Sequence, residues 1–331
     1  MDEPSGLTAI ENALKPIYRD TEGQQWGTLI SWTLGGPDPL DPIRVYPRAD
    51  PVPHWHYISF GMTELDEKES ENPDESGWGF EFTFRLTRRP GEHEAPVWPV
   101  GFLQNLARYV YSSGNWFEAG DHVDANGPIF LDRQDSLIRA FAFTADPELG
   151  QVDSPNGRFQ FLQVVGLTLD EYDAARSWRT QGLLGAVAPR MPLYITDLDR
   201  TSMLEHDDVD AAIRTGIARD GSGLGMLYVE TASWESSDGC LHLRFSASAC
   251  PAIADALVNR LPHGRTLTVS GDGRSITFSP SDSGGVTLNE GVLTLDVLPA
   301  ELSALVAALH STSSGPLSIH PQLVIAFDHE T

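Results

Sequence analysis

Four residues of this chain have the side chains of metal ligands or proton carriers at suggestive spacings: His54 and His56, two apart, and Asp121 and His122, adjacent. In an extended segment His54 and His56 project from one face, so two imidazoles could share a metal with Asp121 or His122. Asp121 beside His122 also has the composition of a base and its orienter, but nothing supplies a nucleophile. A metal-dependent or hydrolytic enzyme using His54, His56, Asp121 and His122 is therefore the reading to weigh. Against it stands the ordinary role of imidazoles on aromatic-rich strands, which is to be satisfied core or interface groups. Trp116 and Phe117 share the loop of Asp121 and His122, so the same residues could instead grip another protein.

Other motifs carry less. Gly221, Gly223 and Gly225 spell G-x-G-x-G, but no strand–turn–helix context or ribose-binding acid accompanies them, and the segment reads as a hinge. SDSGG (281–285) reads as a turn, and no Walker loop, G-x-S-x-G, H-E-x-x-H or EF-hand is present. Asp38 and Asp41, in the rigid GGPDPLDP connection (35–42), are expected to bind loop backbone N–H groups. Cys240 and Cys250 are too few for a disulfide framework and lack zinc spacing, so they read as reduced thiols of a cytoplasmic protein. No metal or other cofactor is expected.

The elements that must position these residues centre on the stretch Trp98–His122. Leu103, Leu106, Ala107 and Val110 make one apolar helical face, Pro99 suits the first turn, and Ser112–Gly114 ends the helix before the Trp116–His122 loop. Upstream, residues 7–15 read as a helix with a Thr8–Glu11 capping box, stopped or kinked by Pro16. TLISWTL (28–34) and HWHYISFGM (54–62) read as strands, the second covered on both faces. Residues 63–76 form an acidic loop expected to be mobile. Then Trp78, Phe80, Phe82, Phe84 and Leu86 alternate with Gly79, Glu81, Thr83, Arg85 and Thr87, a strand with one aromatic core face. Strands follow at 137–146 and 159–167, then one helix from the Thr168–Glu171 box toward Ala188, then a buried strand PLYITD (192–197).

The fold class is α+β: two lobes, each a mixed β-sheet with packed helices, spanning 1–200 and 226–331 with a connector at 201–225. In the second lobe MLYVETASW, LHLRFSA, the TLTVS/SITFS hairpin and LTLDV read as strands. Residues 251–261 and 299–311 read as helices, and a last strand is broken at Pro321.

Charge is the strongest compositional signal. Lys plus Arg number 22 and Asp plus Glu 47, giving −25. Such a surface repels phosphate backbones and anionic head groups, which excludes nucleic acid and membrane as direct partners and favours a basic protein. The N-terminus lacks the basic and apolar regions of a secretory signal.

LGGPDPLD (34–41), HWHYISFG (54–61), GFEFTFRL (79–86), LARYV (106–110), GDHV (120–123), FLQVVG (161–166) and ITD (195–197) together resemble the suppressor of fused family. LHLRF (241–245), HGR (263–265) and the closing PQLVIAFD (321–328) resemble it more loosely. The chain looks like a short, bacterial-type member. The resemblance implies a non-enzymatic, two-lobed binding protein with an inter-lobe cleft, whose animal relative traps a transcription-factor peptide of the Hedgehog pathway there as an added strand. By that resemblance Tyr109, Phe117 and Asp121 are partner-binding. Ser248 and Ala252 stand on the opposite wall, where the animal protein has a carboxylate and a leucine. The expected partner is a protein or extended peptide, plausibly a basic toxin neutralised by an immunity protein. A cytoplasmic regulatory adaptor is the other binding alternative.

Overall fold

The computed structural model describes residues 5–19, 21–237, 240–289 and 291–311, and the backbone of 317–320 and 323–328. The chain divides into two compact units: Met1–Asp173 with Leu183–Asp210, and Ala174–Gly182 with Ala211–Thr331.

The first unit opens with α1 (Gly6–Tyr18), capped by Ser5, whose Oγ accepts the Thr8 N–H at 3.2 Å. The helix therefore begins a turn before the Thr8–Glu11 box, and it continues through Pro16 to Tyr18. Strands β1 (Gln24–Trp26), β2 (Ile43–Arg48), β3 (His54–Ser59) and β4 (Glu75–Thr87) precede α2 (Trp98–Ser113). Then come β5 (His122–Asp124), β6 (Ala140–Ala145), β7 (Gln151–Ser154), β8 (Gly157–Leu167), α3 (Leu169–Ser177) and α4 (Thr180–Val187). The eight strands form one mixed sheet in the order β1-β2-β3-β4-β8-β6-β5, with β7 paired to β8 and β4 parallel to β8.

Both faces of this sheet are covered. Trp55, Tyr57, Phe80, Phe82 and Phe84 pack with Leu103, Ala107 and Val110 of α2 on one face. Tyr46, Ile58, Phe60, Phe159 and Phe161 pack with Ile10, Leu14 and Tyr18 of α1 on the other. The α+β class and the doubly covered β3 hold.

Two expected strands do not form. In 28–34 the place beside β2 is taken by Gln24–Trp26, and Thr28 is fixed to Asp41 through its N–H (3.2 Å) and Oγ1 (2.7 Å). The chain then winds into a 3-10 turn at Trp32–Leu34, with Gly35 left-handed at φ 85°. In 192–197 a 3-10 turn holds Leu193 and Tyr194 at φ 52° and 53°, so extension starts only at Ile195, and Thr196 bridges Leu86. The helix expected from Thr168 to Ala188 is two, α3 and α4, although the Glu171 carboxylate does accept the Thr168 N–H at 3.0 Å. The 63–76 loop is ordered by hydrogen bonds. Glu64 accepts the N–H groups of Glu69, Ser70 and Gly77 and the Lys68 ammonium, and these hold its carboxyl down at about 2 against burial.

Helix α5 (Asp207–Asp220) lies in the expected connector and crosses the division between units. The second unit continues with β9 (Met226–Tyr228), β10 (Ala232–Ser237), β11 (Cys240–Ser246), α6 (Cys250–Val258), β12 (Leu267–Gly271) and β13 (Arg274–Pro280). It ends with β14 (Gly285–Asn289), β15 (Val292–Val297), α7 (Pro299–Ser311), β16 (Leu317–His320) and β17 (Leu323–Asp328). Two mixed sheets result, β10-β11-β17-β16 and β14-β15-β13-β12-β9. The segment read as a turn at SDSGG leads directly into β14. The last strand, expected to be broken at Pro321, is two strands paired antiparallel, Leu317–His320 and Leu323–Asp328; Pro321 itself lies outside the described residues. Leu243, Phe245, Ile253, Leu257, Ile276, Phe278 and Leu305 share one core. Neither cysteine forms a disulfide; Cys250 is buried, which pushes its thiol up to about 11.

Trp178 docks on α5 in this second unit. Its indole N–H donates to Asp220 at 2.9 Å, and a Cβ placed on Gly216 would fall 2.2 Å from its ring. Gly216→Ala should therefore displace the indole and cost about 1–3 kcal/mol. A lowered thermal midpoint with a changed near-UV spectrum would show it.

Candidate functional site

The candidate grip is built on α2 and the turn that follows. Gly114, at φ 74°, ends the helix, and its N–H closes on the Val110 carbonyl at 2.9 Å. Tyr109 lies on the outward side of the last turns and is 47% exposed. Two residues on, Tyr111 points inward instead, its ring against Trp32 and Trp78 and its hydroxyl donating to the Gly61 carbonyl at 2.6 Å.

The loop after α2 is tied to β6 at two points. The Gly120 N–H donates to the Phe143 carbonyl and the Phe143 N–H to the Asp121 carbonyl, both at 2.9 Å. Phe117 is thereby held half-buried, stacked on Phe143 at 4.3 Å between ring centres and on Tyr109 at 5.5 Å. Asp121 is exposed, and its carboxylate accepts the Glu118 N–H at 2.8 Å, which fixes where its charge points. Tyr109, Phe117 and Asp121, 12 residues apart in sequence from first to last, thus occupy one continuous structure.

Beside them runs a groove of about 480 Å³ lined by Leu106, Tyr109, Phe117, Val123, Ile129 and Phe141. Its floor is the aromatic face of the sheet. Glu118, Asp121 and Asp124 are exposed on the same loop and strand as Phe117 and Val123, which line the groove. Strand β5, which starts at His122, is the last strand of the sheet. Trp116 is 58% exposed and donates to Glu118 at 3.2 Å.

The four residues of the metal alternative are not brought together. His54 and His56 are on β3, and β4, β8 and β6 intervene before the β5 of His122. Four inter-strand spacings amount to about 19 Å, far beyond a shared coordination sphere. His54 Nδ1 is 2.7 Å from the Val52 carbonyl oxygen. His56 Nδ1 accepts from the Tyr18 hydroxyl and its Nε2 lies 3.2 Å from Asp146. The ring of His122 stands edge-on to Tyr172 at 5.3 Å. Among the described residues no three His, Cys, Asp or Glu side chains converge as a metal site. Ser248 and Ala252 belong to the second unit: Ser248 is exposed in the 3-10 turn Ala247–Ala249, and Ala252 is half-buried on α6.

The feature the sequence reading missed lies on the other side of β4. Glu81, Thr83 and Arg85 are as fully buried as the phenylalanines between them. Arg85 donates to both Asp146 oxygens at 2.6 and 3.0 Å and to Glu148 at 2.9 Å, and it also meets Gln163. Thr83 donates to Asp146 at 2.8 Å. Burial opposes charge on Asp146, but His56 and Arg85 more than offset it and hold the carboxyl well below its usual range. The same burial, with Arg85 nearby, pushes His56 down to about 4, so the ring is neutral near pH 7. Glu81 accepts from Ser59, Gly61 N–H and both donors of Thr63, yet its burial still pushes the carboxyl up. The signal was present: β3 is apolar on both faces, so the sheet is covered on both sides and the charges of β4 must lie inside.

The model of the suppressor of fused protein family matches residues 36–201. The suppressor of fused homologs of Homo sapiens and Mus musculus are each 39% identical over 236 residues, covering 66% of this chain and 48% of theirs. The chain thus spans about half the length of these curated relatives. The crystal structure of Drosophila suppressor of fused shares the fold, with a TM-score of 0.84 at 21% identity, over 99% of this chain and 98% of that one. A second structure, of the Sufu-Fu complex, aligns with a TM-score of 0.59 at 31% identity, over 63% of this chain and 97% of its own. The motifs from LGGPDPLD to ITD lie almost wholly inside the matched span, and by that match the chain belongs to the suppressor of fused family.

Proposed function

We propose that this protein is a non-enzymatic binder that holds a partner protein by an extended segment laid along Tyr109, Phe117 and Asp121. The observation that carries this reading is the exposed Tyr109 ring stacked on Phe117 beside a fixed carboxylate and an apolar groove. Rings of that kind anchor interfaces, because they bury large area for little lost freedom. The terminal strand β5 offers backbone groups to an added strand. A relative solved as the Sufu-Fu complex supports a protein as the guest.

The charge of −25 and the exposed carboxylates of Glu118, Asp121 and Asp124 favour a basic partner. A cationic nuclease-type toxin, neutralised by this protein as its immunity factor, fits that chemistry. The test is affinity capture from the native host, followed by titration of the captured protein. Tyr109→Ala should weaken its binding about 30-fold, the equivalent of about 2 kcal/mol. Asp121→Arg should abolish it at low salt, with the thermal midpoint unchanged. If both variants bind normally, the site is elsewhere. If no protein is captured and no toxin gene lies beside this one, the immunity reading fails.

A further inference from the structure

Among the described residues, the five-stranded sheet of the second unit ends in a strand with no further strand beside it. All five residues of β14, Gly285–Asn289, are exposed, with Val286 and Leu288 at 52% and 53%. Val286 lies opposite Leu295 and Leu288 opposite Leu293 in the antiparallel pair with β15. Residues directly opposite share a face. Val286 and Leu288 therefore extend the core face that buries Leu293 and Leu295, and they extend it past the last covered strand. The outer edge of β14 is the end of the sheet.

Sheet edges of this kind are normally guarded by lysine, proline, a bulge or an inward charge. None of these protects β14: Ser283–Asn289 contains no charged residue and no proline, and the register with β15 is unbroken. The stretch itself carries no charge; Asp282 and Glu290 flank it in sequence and Asp296 stands opposite Gly285. It is, however, complementary to its own image. If two copies of GVTLN run antiparallel about a two-fold axis at Thr287, Val286 of each lies opposite Leu288 of the other. Both apolar pairs then fall on the same side of a continuous ten-stranded sheet, five strands from each copy.

We propose that β14 is a self-association edge, through which two copies of this chain pair antiparallel about Thr287. Pairing brings two strongly acidic molecules together, so salt should strengthen it by screening their repulsion. Capture of a basic partner has the opposite salt dependence, which keeps the two surfaces distinguishable.

Sedimentation of the full chain over a range of about 1–300 µM, where a weak dimer is populated, should show monomer and dimer. The dimer should be favoured at least tenfold by raising NaCl from about 0.05 to 0.5 M. Val286→Lys alone and Leu288→Asp alone should each weaken the dimer tenfold or more, leaving the thermal midpoint of these exposed positions unchanged. The double variant, Val286→Lys with Leu288→Asp, should recover association, because the introduced opposite charges face each other across the two-fold axis. A chain that stays monomeric at every concentration and salt overturns the proposal. So does a dimer indifferent to the single substitutions, or a double variant no better than either single one.

Discussion

Arg85→Met is expected to destabilise the first unit by about 3–5 kcal/mol, the cost of leaving a buried carboxylate without its counter-charge. Arg85 and Asp146 have fully buried side chains and share two hydrogen bonds, and Glu148 meets the same guanidinium. Methionine fills much the same volume but leaves Asp146 with Thr83, His56 and the N–H groups of Glu148 and Leu149 as its only partners. Those are dipoles and a neutral ring, too little to hold a charge inside the sheet. Six of the eight tryptophans (Trp26, Trp32, Trp55, Trp78, Trp98 and Trp116) are in the first unit, so urea unfolding followed by tryptophan fluorescence reads chiefly this unit. The midpoint should fall sharply. Adding Asp146→Leu to Arg85→Met should recover part of the loss, since removing both partners leaves no orphan charge. A double variant as unstable as the single one would show that the cost lies in packing and not in charge.

What the sequence made legible depended on whether a local pattern had a single reading. Strand β4 and helix α2 were readable because five apolar residues at period two and four at helical spacing each admit one element, and Pro99 and Gly114 mark the ends of α2. TLISWTL had strand-like residues but no place in a sheet. Leu29, Ile30 and Leu34 are exposed, so their apolarity answers to nothing inside the fold. GVTLN failed in the opposite way: the turn read at SDSGG ends on Gly285, the residues after it drew no reading, and only the hairpin with β15 makes them a strand. Alternation likewise told which residues of β4 share a face but not what lies over that face. The network of Arg85, Asp146 and His56 was therefore invisible as a network, although both its strands were foreseen.

The candidate site shows the same limit. That Tyr109, Phe117 and Asp121 matter rested on resemblance. That Phe117 stacks on Tyr109 with Asp121 on the same tied loop follows from two backbone hydrogen bonds between the loop and β6, which no spacing reveals. Tyr109 and Tyr111 differ by two positions on one helix, one presented to solvent and one locked against Trp32 and Trp78. Helical geometry requires that they diverge; only the position of the 28–38 segment decides which of them is buried.

Acid should weaken the first unit from about pH 7 downward, through its two buried histidines. Burial pushes His54 and His56 down to about 4 from an ordinary value of 6.5. Above about pH 7.5 both rings are almost wholly neutral whether folded or unfolded and contribute little pH dependence. Between about 6.5 and 4 the unfolded chain takes up two protons that the folded chain refuses, so stability falls with falling pH. Each histidine accounts for at most about 3 kcal/mol by pH 4. Below that, Asp146, whose folded carboxyl is held under its ordinary range, extends the loss in the same direction. The urea midpoint read by tryptophan fluorescence should thus be flat above about pH 7.5 and decline below it, His54 and His56 contributing up to one proton each to the slope and Glu81, whose carboxyl burial pushes up, opposing them at the acid end. His54→Met should halve the histidine part of that slope. Its imidazole gives up only the contact with the Val52 carbonyl, whereas its Nε2 is already buried with no hydrogen-bond partner. A midpoint that stays level down to pH 4.5 would mean that the two rings are protonated inside the sheet after all. Asp146 would then be paired with a histidinium as well as with Arg85.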